Sequence, residues 1–177
     1  MGDRQVRAGA WAVALIAVAA GLLAPGAGAA GVGGPIQIYA QGTDVTSPIL
    51  VTGAITDYGK ATSVDKSGKP DQNGNYEKVV LTKGGFWIDA TELNKQLNSL
   101  KPTVDTKNCF FAFKGSGPTT LFKGTGAYAG IGGTVNVELS LVAIGPKTAS
   151  GKCDMTQNAK PVAQYGNVTG SGAVSFK

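Results

Sequence analysis

The glycine-rich segment 123–141 contains residues whose spacing could bind a phosphate. Gly124, Gly126 and Ala129 fit G-x-G-x-x-A, a form of the dinucleotide-binding fingerprint. That fingerprint needs a helix directly after the glycines and an acidic residue about 20 positions later. Here apolar and polar residues alternate after the glycines, which predicts a strand, and positions 146–151 hold no carboxylate. We therefore interpret the glycines as a turn between strands, from which Tyr128 and Ile131 fold back onto the sheet.

Catalytic chemistry is limited by residue types that the chain lacks. It has no histidine, which excludes His-based triads, His metal sites and His proton relays. A Ser-Lys dyad stays open, and so does a pair of carboxylates, for which the sequence favours no particular partners. The candidate carboxylates are Asp57, Asp89, Glu92, Asp105 and Glu138.

Glu138 is the candidate of most interest, because it lies in the middle of a predicted strand on the polar face. If that face lines a barrel, Glu138 is a buried carboxylate with a raised pKa; if the face meets solvent, it is an ordinary surface charge.

Oxygen ligands at Asp71, Asn73, Asn75 and Glu77 resemble the start of a calcium loop. Tyr76 occupies the position that needs glycine, however, so a hairpin turn is favoured. We predict no metal and no cofactor.

Two cysteines, Cys109 and Cys153, are predicted to form a disulfide, because an even number of cysteines in an exported chain is typical of one. A redox pair would have the closer C-x-x-C spacing, and a zinc site would need more ligands.

Export is predicted by residues 1–30, which have the features of a signal peptide. Arg4 and Arg7 precede an apolar run over 8–23, and Ala27-Gly28-Ala29 gives a cleavage pattern. The alternative is a membrane anchor, for which the run is short. We therefore expect one secreted, extracellular domain over residues 31–177, with no membrane span after cleavage.

The charge of that domain argues against one class of partner. Fourteen lysines and ten acidic residues give it a formal charge of +4, and it has no arginine. Arginine is the residue best suited to bidentate phosphate and guanine contacts, so nucleic-acid recognition is not expected. Weak attraction to an anionic envelope polymer remains open.

The apolar pattern predicts an all-β fold with one helix. Glu77, Val79 and Leu81 share one face of a strand, and a turn at Gly84-Gly85 leads to Phe86 and Ile88 on one face of the next. Val135, Val137, Leu139 and Leu141 alternate with Thr134, Asn136, Glu138 and Ser140. Further strands are predicted in 48–59, 108–117, where glycines and Pro118 end the strand, and 166–177. Exposed loops are predicted at 63–75 and 145–161.

The helix is predicted over 89–102, with Asp89 as N-cap and Pro102 as its end. Leu93, Leu97 and Leu100 form its apolar face. A single amphipathic helix among many short strands indicates an antiparallel β-barrel or a sandwich with one covering helix.

The segment LFKGTGAYAGIGGTVNVEL, residues 121–139, resembles the G-G-T-G-x-[YF]-x-G-A-x-G signature of allene oxide cyclase and dirigent β-barrels. It also resembles secreted actinobacterial proteins with a cysteine on either side of this motif. The resemblance implies an eight-stranded, allene-oxide-cyclase-like barrel with an apolar cavity. The resemblance does not imply a catalytic activity. Dirigent pockets use Asp and Arg, and the mature domain has no arginine; no catalytic residue of the cyclases matches this sequence by position.

Three functions follow as hypotheses. The first is a non-enzymatic binder of an apolar small molecule or an envelope component. The second is a small cyclase or isomerase, and the third is a structural or interaction protein of the envelope. The candidate pocket residues are Glu138, Asn136, Tyr128, Phe111 and Trp87.

Overall fold

The computed structural model describes residues 32–154, 156 and 159–177, so the predicted signal peptide lies outside the described residues. The described part forms β-strands joined by turns and loops, with one α-helix. The elements are β1 (Gly34–Gln41), β2 (Thr46–Gly53), β3 (Asp57–Val64), β4 (Tyr76–Leu81), β5 (Gly84–Asp89), α1 (Thr91–Asn98), β6 (Thr103–Asp105), β7 (Phe110–Gly126), β8 (Ile131–Ile144) and β9 (Ala163–Phe176).

The fold is a closed antiparallel barrel of 8 strands. Its strands pair in the order β5-β4-β3-β2-β1-β9-β8-β7, and β5 pairs with β7 to close the ring. The short strand β6 pairs with the first residues of β7, outside the ring. This confirms the predicted β-barrel with one helix. The alternative, a sandwich, is not formed, because every barrel strand has a neighbour on both sides.

The alternation along each strand places one face inside the barrel. Val135 and Val137 of β8 are buried, whereas Thr134, Asn136 and Glu138 are exposed. On β4 and β5, Val79, Leu81, Phe86 and Ile88 are likewise buried. The interior is thus an apolar core made by in-phase residues of neighbouring strands.

Strand β1 was not predicted, the predicted strand 48–59 is divided between β2 and β3 at residues 54–56, and helix α1 ends at Asn98, before Leu100 and Pro102. The chain differs from the sequence expectation at three further local points. The turn between β4 and β5 is at Thr82 and Lys83, and the glycines predicted to form it already belong to β5. Ala90 is the N-cap residue of α1, while Asp89 ends β5 and accepts a hydrogen bond from the Thr91 backbone N–H at 2.9 Å.

The third difference is the length of β7, which was predicted to end at Gly115–Pro118 but continues to Gly126. Between residues 113 and 119 this strand pairs with β8 alone, because β6 and β5 pair only with its two ends. A proline is tolerated where one side of a strand has no partner. Pro118 therefore lies inside a strand without ending it.

Helix α1 packs on this part of β7 through two glycines. A Cβ atom added at Gly115 would lie 2.4 Å from Leu97 Cδ2, and one added at Gly117 would lie 3.1 Å from Leu93 Cα. Larger residues at these positions would push the helix away. The helix therefore covers the inner side of β7 in the stretch where β5 does not reach.

One end of the barrel is closed by the turn predicted from the G-x-G-x-x-A pattern. The turn joins β7 to β8, and from it Tyr128 and Ile131 are buried in the barrel. Gly126 and Gly130 have φ values of 62° and 77°, a region that favours glycine. This confirms the turn and explains the motif without a cofactor.

At the opposite end, the predicted loops 63–75 and 145–161 correspond to the β3–β4 and β8–β9 connections. The predicted Cys109–Cys153 disulfide is present, with 5.3 Å between the Cα atoms. It attaches the β8–β9 loop to the start of β7. Closing a loop of 44 residues stabilises the fold by about 4 kcal/mol through the entropy of the unfolded chain. The described residues include no helix that is long and apolar enough to cross a membrane.

The close packing around the glycine turn predicts a large difference in stability between two Gly→Ala variants. A Cβ atom at Gly124 would lie 1.7 Å from the Tyr128 carbonyl oxygen, whereas one at Gly132 would meet nothing closer than Ser175 Oγ at 4.0 Å. We expect Gly124→Ala to lower the free energy of unfolding by about 3 kcal/mol, on the scale of overpacked sites. The matched control Gly132→Ala should change it by less than about 1 kcal/mol. Urea unfolding of both variants makes the comparison, and equal stabilities would contradict the steric role of Gly124.

Candidate functional site

The open end of the barrel holds a cavity of about 620 Å³. It lies between the inner faces of the strands and helix α1, beneath the β1–β2 and β3–β4 loops. Its wall is mostly apolar, and the principal apolar residues are Ile38, Ile49, Ile88, Leu93, Val137 and Leu139. The volume lies in the range typical of sites for small organic ligands.

The cavity exists because inward-facing residues near this end are small. Ala40, Ser47, Ala61, Ser63 and Gly166 all line it. At the closed end the corresponding space is filled by larger side chains, among them Phe86, Leu121 and Tyr128. The barrel is therefore packed at one end and hollow at the other.

Neutral polar groups from four segments form a collar around the mouth, and they are linked to one another. Asn94 of α1 donates to the Gly74 carbonyl at 3.3 Å and to Asn75 Oδ1 at 3.0 Å. The Thr43 carbonyl accepts from Gln72 at 3.2 Å, and Thr43 Oγ1 accepts from Gln164 at 2.6 Å. These bonds tie the helix, the β3–β4 loop, the β1–β2 loop and β9 into one rim, which keeps the mouth in a fixed shape.

Glu77 is the acidic side chain in the cavity wall. It is the second residue of β4, in phase with Val79 and Leu81, so it points into the barrel. Ser63 faces it across the β3–β4 pair, and Ile88 faces it from β5. Burial raises the pKa of the Glu77 carboxyl to about 7, although the Ser63 hydroxyl acts in the opposite direction through a hydrogen bond. This carboxyl therefore changes charge near neutral pH.

A second buried carboxylate, Asp57, lies at the closed end and is saturated with donors. It accepts hydrogen bonds from Thr82 Oγ1 at 2.5 Å and Tyr128 Oη at 2.6 Å, and from the backbone N–H groups of Tyr58 and Lys83. Burial raises its pKa, but the four donors outweigh burial and hold the pKa well below its usual range. Burial also raises the pKa of Tyr128, and the bond to Asp57 adds to that effect. Asp57 joins three turns and has no room for a ligand.

The five candidate pocket residues are not brought together, and none of them lines the cavity. Glu138 and Asn136 lie on the outer face of β8, where Glu138 forms an ion pair with Lys114 at 3.0 Å. Glu138 is thus a surface charge, because the buried valines of β8 lie on the other face of the strand. Tyr128 does reach the barrel interior, but at the closed end.

The two remaining aromatic candidates lie on the outside of the barrel wall or under a loop. Trp87 packs edge-to-face against Tyr76 and Phe122, with ring centroids 6.3 and 6.1 Å away, and Lys123 Nζ lies 4.6 Å above its ring. Phe111 lines a separate space of about 240 Å³ beneath the β8–β9 loop. Trp87 thus belongs to an aromatic cluster on the barrel wall, and Phe111 lies beneath the β8–β9 loop.

Two further sequence patterns do not form sites. Ser63 and Lys66 fit S-x-x-K, a nucleophile motif. Residues three apart meet on a helix, but here Ser63 faces the cavity from a strand and Lys66 is exposed in the turn that follows. In the calcium-like segment, Asp71 accepts the Asn73 N–H at 2.9 Å, as in an ordinary turn. The described residues contain no cluster of three metal-ligating side chains.

Glu77 was considered only as an oxygen ligand of the calcium-like segment and was missed as a cavity residue, although the sequence carries a signal for it. It is in phase with Val79 and Leu81 on the strand face that becomes the interior. A charged residue in phase with a buried apolar stripe is the pattern that marks an inward-facing carboxyl.

Comparison of the chain with protein-family models, with curated proteins and with solved structures gives no match. Any proposal for the function of this protein therefore rests on the geometry of the cavity.

The raised pKa of Glu77 predicts how stability depends on pH. Below pH 4.5 the carboxyl is protonated in both the folded and the unfolded chain, so its pKa shift does not change the free energy of unfolding. Between pH 4.5 and about 7 the unfolded chain loses its proton first, so the free energy of unfolding falls as pH rises. Above about pH 7 the carboxyl is ionised in both states, and the loss of stability is complete. The pKa shift from 4.5 to about 7 corresponds to about 3 kcal/mol in the free energy of unfolding.

We therefore expect Glu77→Gln to become more stable relative to the wild type as the pH rises from 4 to 8. Urea unfolding at several pH values measures the free energy of unfolding of each protein, and the difference between variant and wild type is compared across pH. Glu138→Gln, on the outer face, is the matched control and should show no such trend. A constant difference for Glu77→Gln would contradict a buried, titrating carboxyl.

Proposed function

We propose that this protein is a secreted binder of an apolar small molecule, which it holds in the cavity at the open end of the barrel. The observation that supports the proposal is the cavity itself, because the barrel core is packed at one end and hollow at the other. An empty apolar space loses the dispersion contacts that a filled one would make, so a purely structural barrel gains stability by filling it. A ligand supplies those contacts.

The chemistry of the lining supports an amphipathic ligand. Isoleucine, leucine and valine side chains form the wall, and amide and hydroxyl groups form the rim. A mostly apolar wall with a small number of placed polar groups is the usual form of a ligand site. The apolar body of the ligand would lie in the barrel, and its polar group would lie near Glu77 or the collar.

Secretion is part of the proposal. The Cys109–Cys153 disulfide is typical of a protein that folds in an oxidising compartment. The signal-peptide pattern of residues 1–30 is consistent with that location. We infer that the ligand is met outside the cell or in its envelope, where a carrier shields an apolar molecule from water.

Native mass spectrometry of the protein purified from its host's medium is the direct test. We expect a mass excess over the oxidised polypeptide that disappears on denaturation. We also expect an apolar fluorescent probe to bind the emptied protein with micromolar affinity, and Ala40→Phe to weaken its binding at least tenfold, because Ala40 lines the cavity.

The matched control for that variant is Ala173→Phe, which adds the same side chain to the outer face of β9. It should leave probe affinity within twofold of the wild type. A bare polypeptide mass together with no probe binding would contradict the proposal and would favour a structural role in the envelope.

A second candidate function, a cyclase or isomerase, is supported by the carboxyl in the cavity wall. A carboxyl whose pKa is raised to about 7 can donate a proton to a bound oxygen and take one back near neutral pH. Ser63 and Asn75 also line the cavity and could orient such a group. In this case Glu77 is the acid, and the ligand leaves with an altered bond arrangement.

The two functions differ in what the protein releases. If Glu77 converts its ligand, small molecules extracted from the wild type and from Glu77→Gln after the same incubation should have equal mass and different chromatographic retention. Ala173→Phe is again the control and should release the wild-type compound. Identical compounds from wild type and Glu77→Gln would contradict catalysis and leave the binder.

A further inference from the structure

The ionisable residues that line the cavity all carry the same sign of charge. Among the described lining residues they are Glu77 in the wall and Asp44 at the mouth, and both are acidic. The lysines that make the domain basic as a whole lie elsewhere on its surface. The inside of the barrel is thus an acidic, apolar space in a basic protein.

Among the residues that the structure describes, no lysine lines the cavity around Glu77. Ser63 faces it from β3, and Ile88 faces it from β5. Helix α1 contributes Leu93, Asn94 and Leu97 to the same cavity, and none of these carries a charge. When Glu77 ionises, its charge therefore has no counter-ion among the described lining residues, and a buried charge is costly unless it is paired.

The collar is also poorly suited to an anion. The Asn94 amide makes two hydrogen bonds to other groups of the rim, and the amides of Gln72 and Gln164 make one each. A carboxylate or phosphate head group would need such donors, and it would also lie near the negative charges of Glu77 and Asp44. The described lining residues thus offer a fatty acid or another apolar anion no cationic partner and place two acidic side chains nearby.

We propose that the cavity selects apolar molecules that carry one basic nitrogen, with the protonated nitrogen placed beside Glu77, over neutral and anionic molecules of the same size. This inference rests on the proposed binding function and names the class of its ligand. The apolar body contacts the isoleucine and leucine wall, and the cation supplies the partner that the carboxylate lacks. Binding of the amine should then depend on the charge of Glu77.

Displacement of an apolar fluorescent probe by three chemically matched compounds tests the proposal. The compounds are decylamine, 1-decanol and decanoic acid, which share one chain and differ in head-group charge. At pH 8 we expect decylamine to bind the wild type at least tenfold more tightly than 1-decanol, and decanoic acid to bind most weakly. At pH 5.5, where Glu77 is largely protonated, the preference for the amine should fall at least threefold.

The variant Glu77→Gln should lose both the preference and its pH dependence while still binding 1-decanol. Asp44→Asn is the control for charge at the mouth and should retain most of the preference. Equal affinities for the amine and the alcohol, or tightest binding of the acid, would overturn the inference and leave the binding function intact, because 1-decanol still binds. Probe binding without displacement by any of the three compounds would overturn this inference alone, whereas no probe binding together with a bare polypeptide mass would overturn both.

Discussion

The pairing of β5 with the second half of β7 is the contact on which the rest of the structure depends. Five residue pairs between Gly84↔Gly126 and Asp89↔Thr120 turn an open sheet into a ring. Without them β5 and β7 would be edge strands with unpaired backbone groups. The pairing is also incomplete, since β7 continues well beyond the end of β5. The unpaired part of β7 leaves a gap in the wall, and α1 occupies that gap.

The way the gap is filled determines the shape of the interior. Gly115 and Gly117 leave room for Leu97 and Leu93 of the helix to approach the strand closely. The helix thus acts as a part of the wall rather than as a plug, and the space in front of it stays open. At the same level the other strands contribute alanine, serine and glycine. A hollow end therefore results from the choice of small residues on several strands together with a helix placed at the side.

The sequence predicted much of the fold, because the alternation along a strand reflects burial directly. The strict alternation from Thr134 to Leu141 corresponds to β8, and the spacing of Leu93 and Leu97 corresponds to α1, whereas Leu100 lies beyond the end of the helix. The turn at Gly124–Gly130 was predictable because a strand, and not a helix, follows the glycines. The disulfide followed from two cysteines and the predicted export.

The site was much less predictable, and the reason is geometric. A sequence shows which residues share a strand face, but the width of the barrel and the tilt of its strands decide which residues of different strands meet. Ser63 and Glu77 are neighbours only through the β3–β4 register. The collar likewise joins Thr43 to Gln164, which are 121 positions apart. The end of β7 was misplaced for a similar reason, since a proline breaks a strand only where a neighbouring strand needs its missing N–H, and around Pro118 one side of β7 has no strand partner.

The buried Asp57 and the half-buried Glu77 show why an inward-facing position alone does not identify a functional residue. Asp57 and Glu77 are both in phase with apolar neighbours on inward faces of adjacent strands. Asp57 accepts four hydrogen bonds in a packed corner, and its charge is already compensated by the fold. Glu77 has one facing hydroxyl and lies beside open space.

The fold does not compensate the charge of Glu77, so a ligand that does so gains binding free energy. A group that enters the cavity and pairs with this carboxyl removes an existing cost, whereas one that approached Asp57 would have to replace four bonds. The pKa directions agree with this difference, since the carboxyl of Asp57 is shifted toward its charged form and that of Glu77 toward its neutral form. An incompletely compensated charge next to a cavity is therefore the feature by which the proposed binding residue differs from the structural one in this barrel.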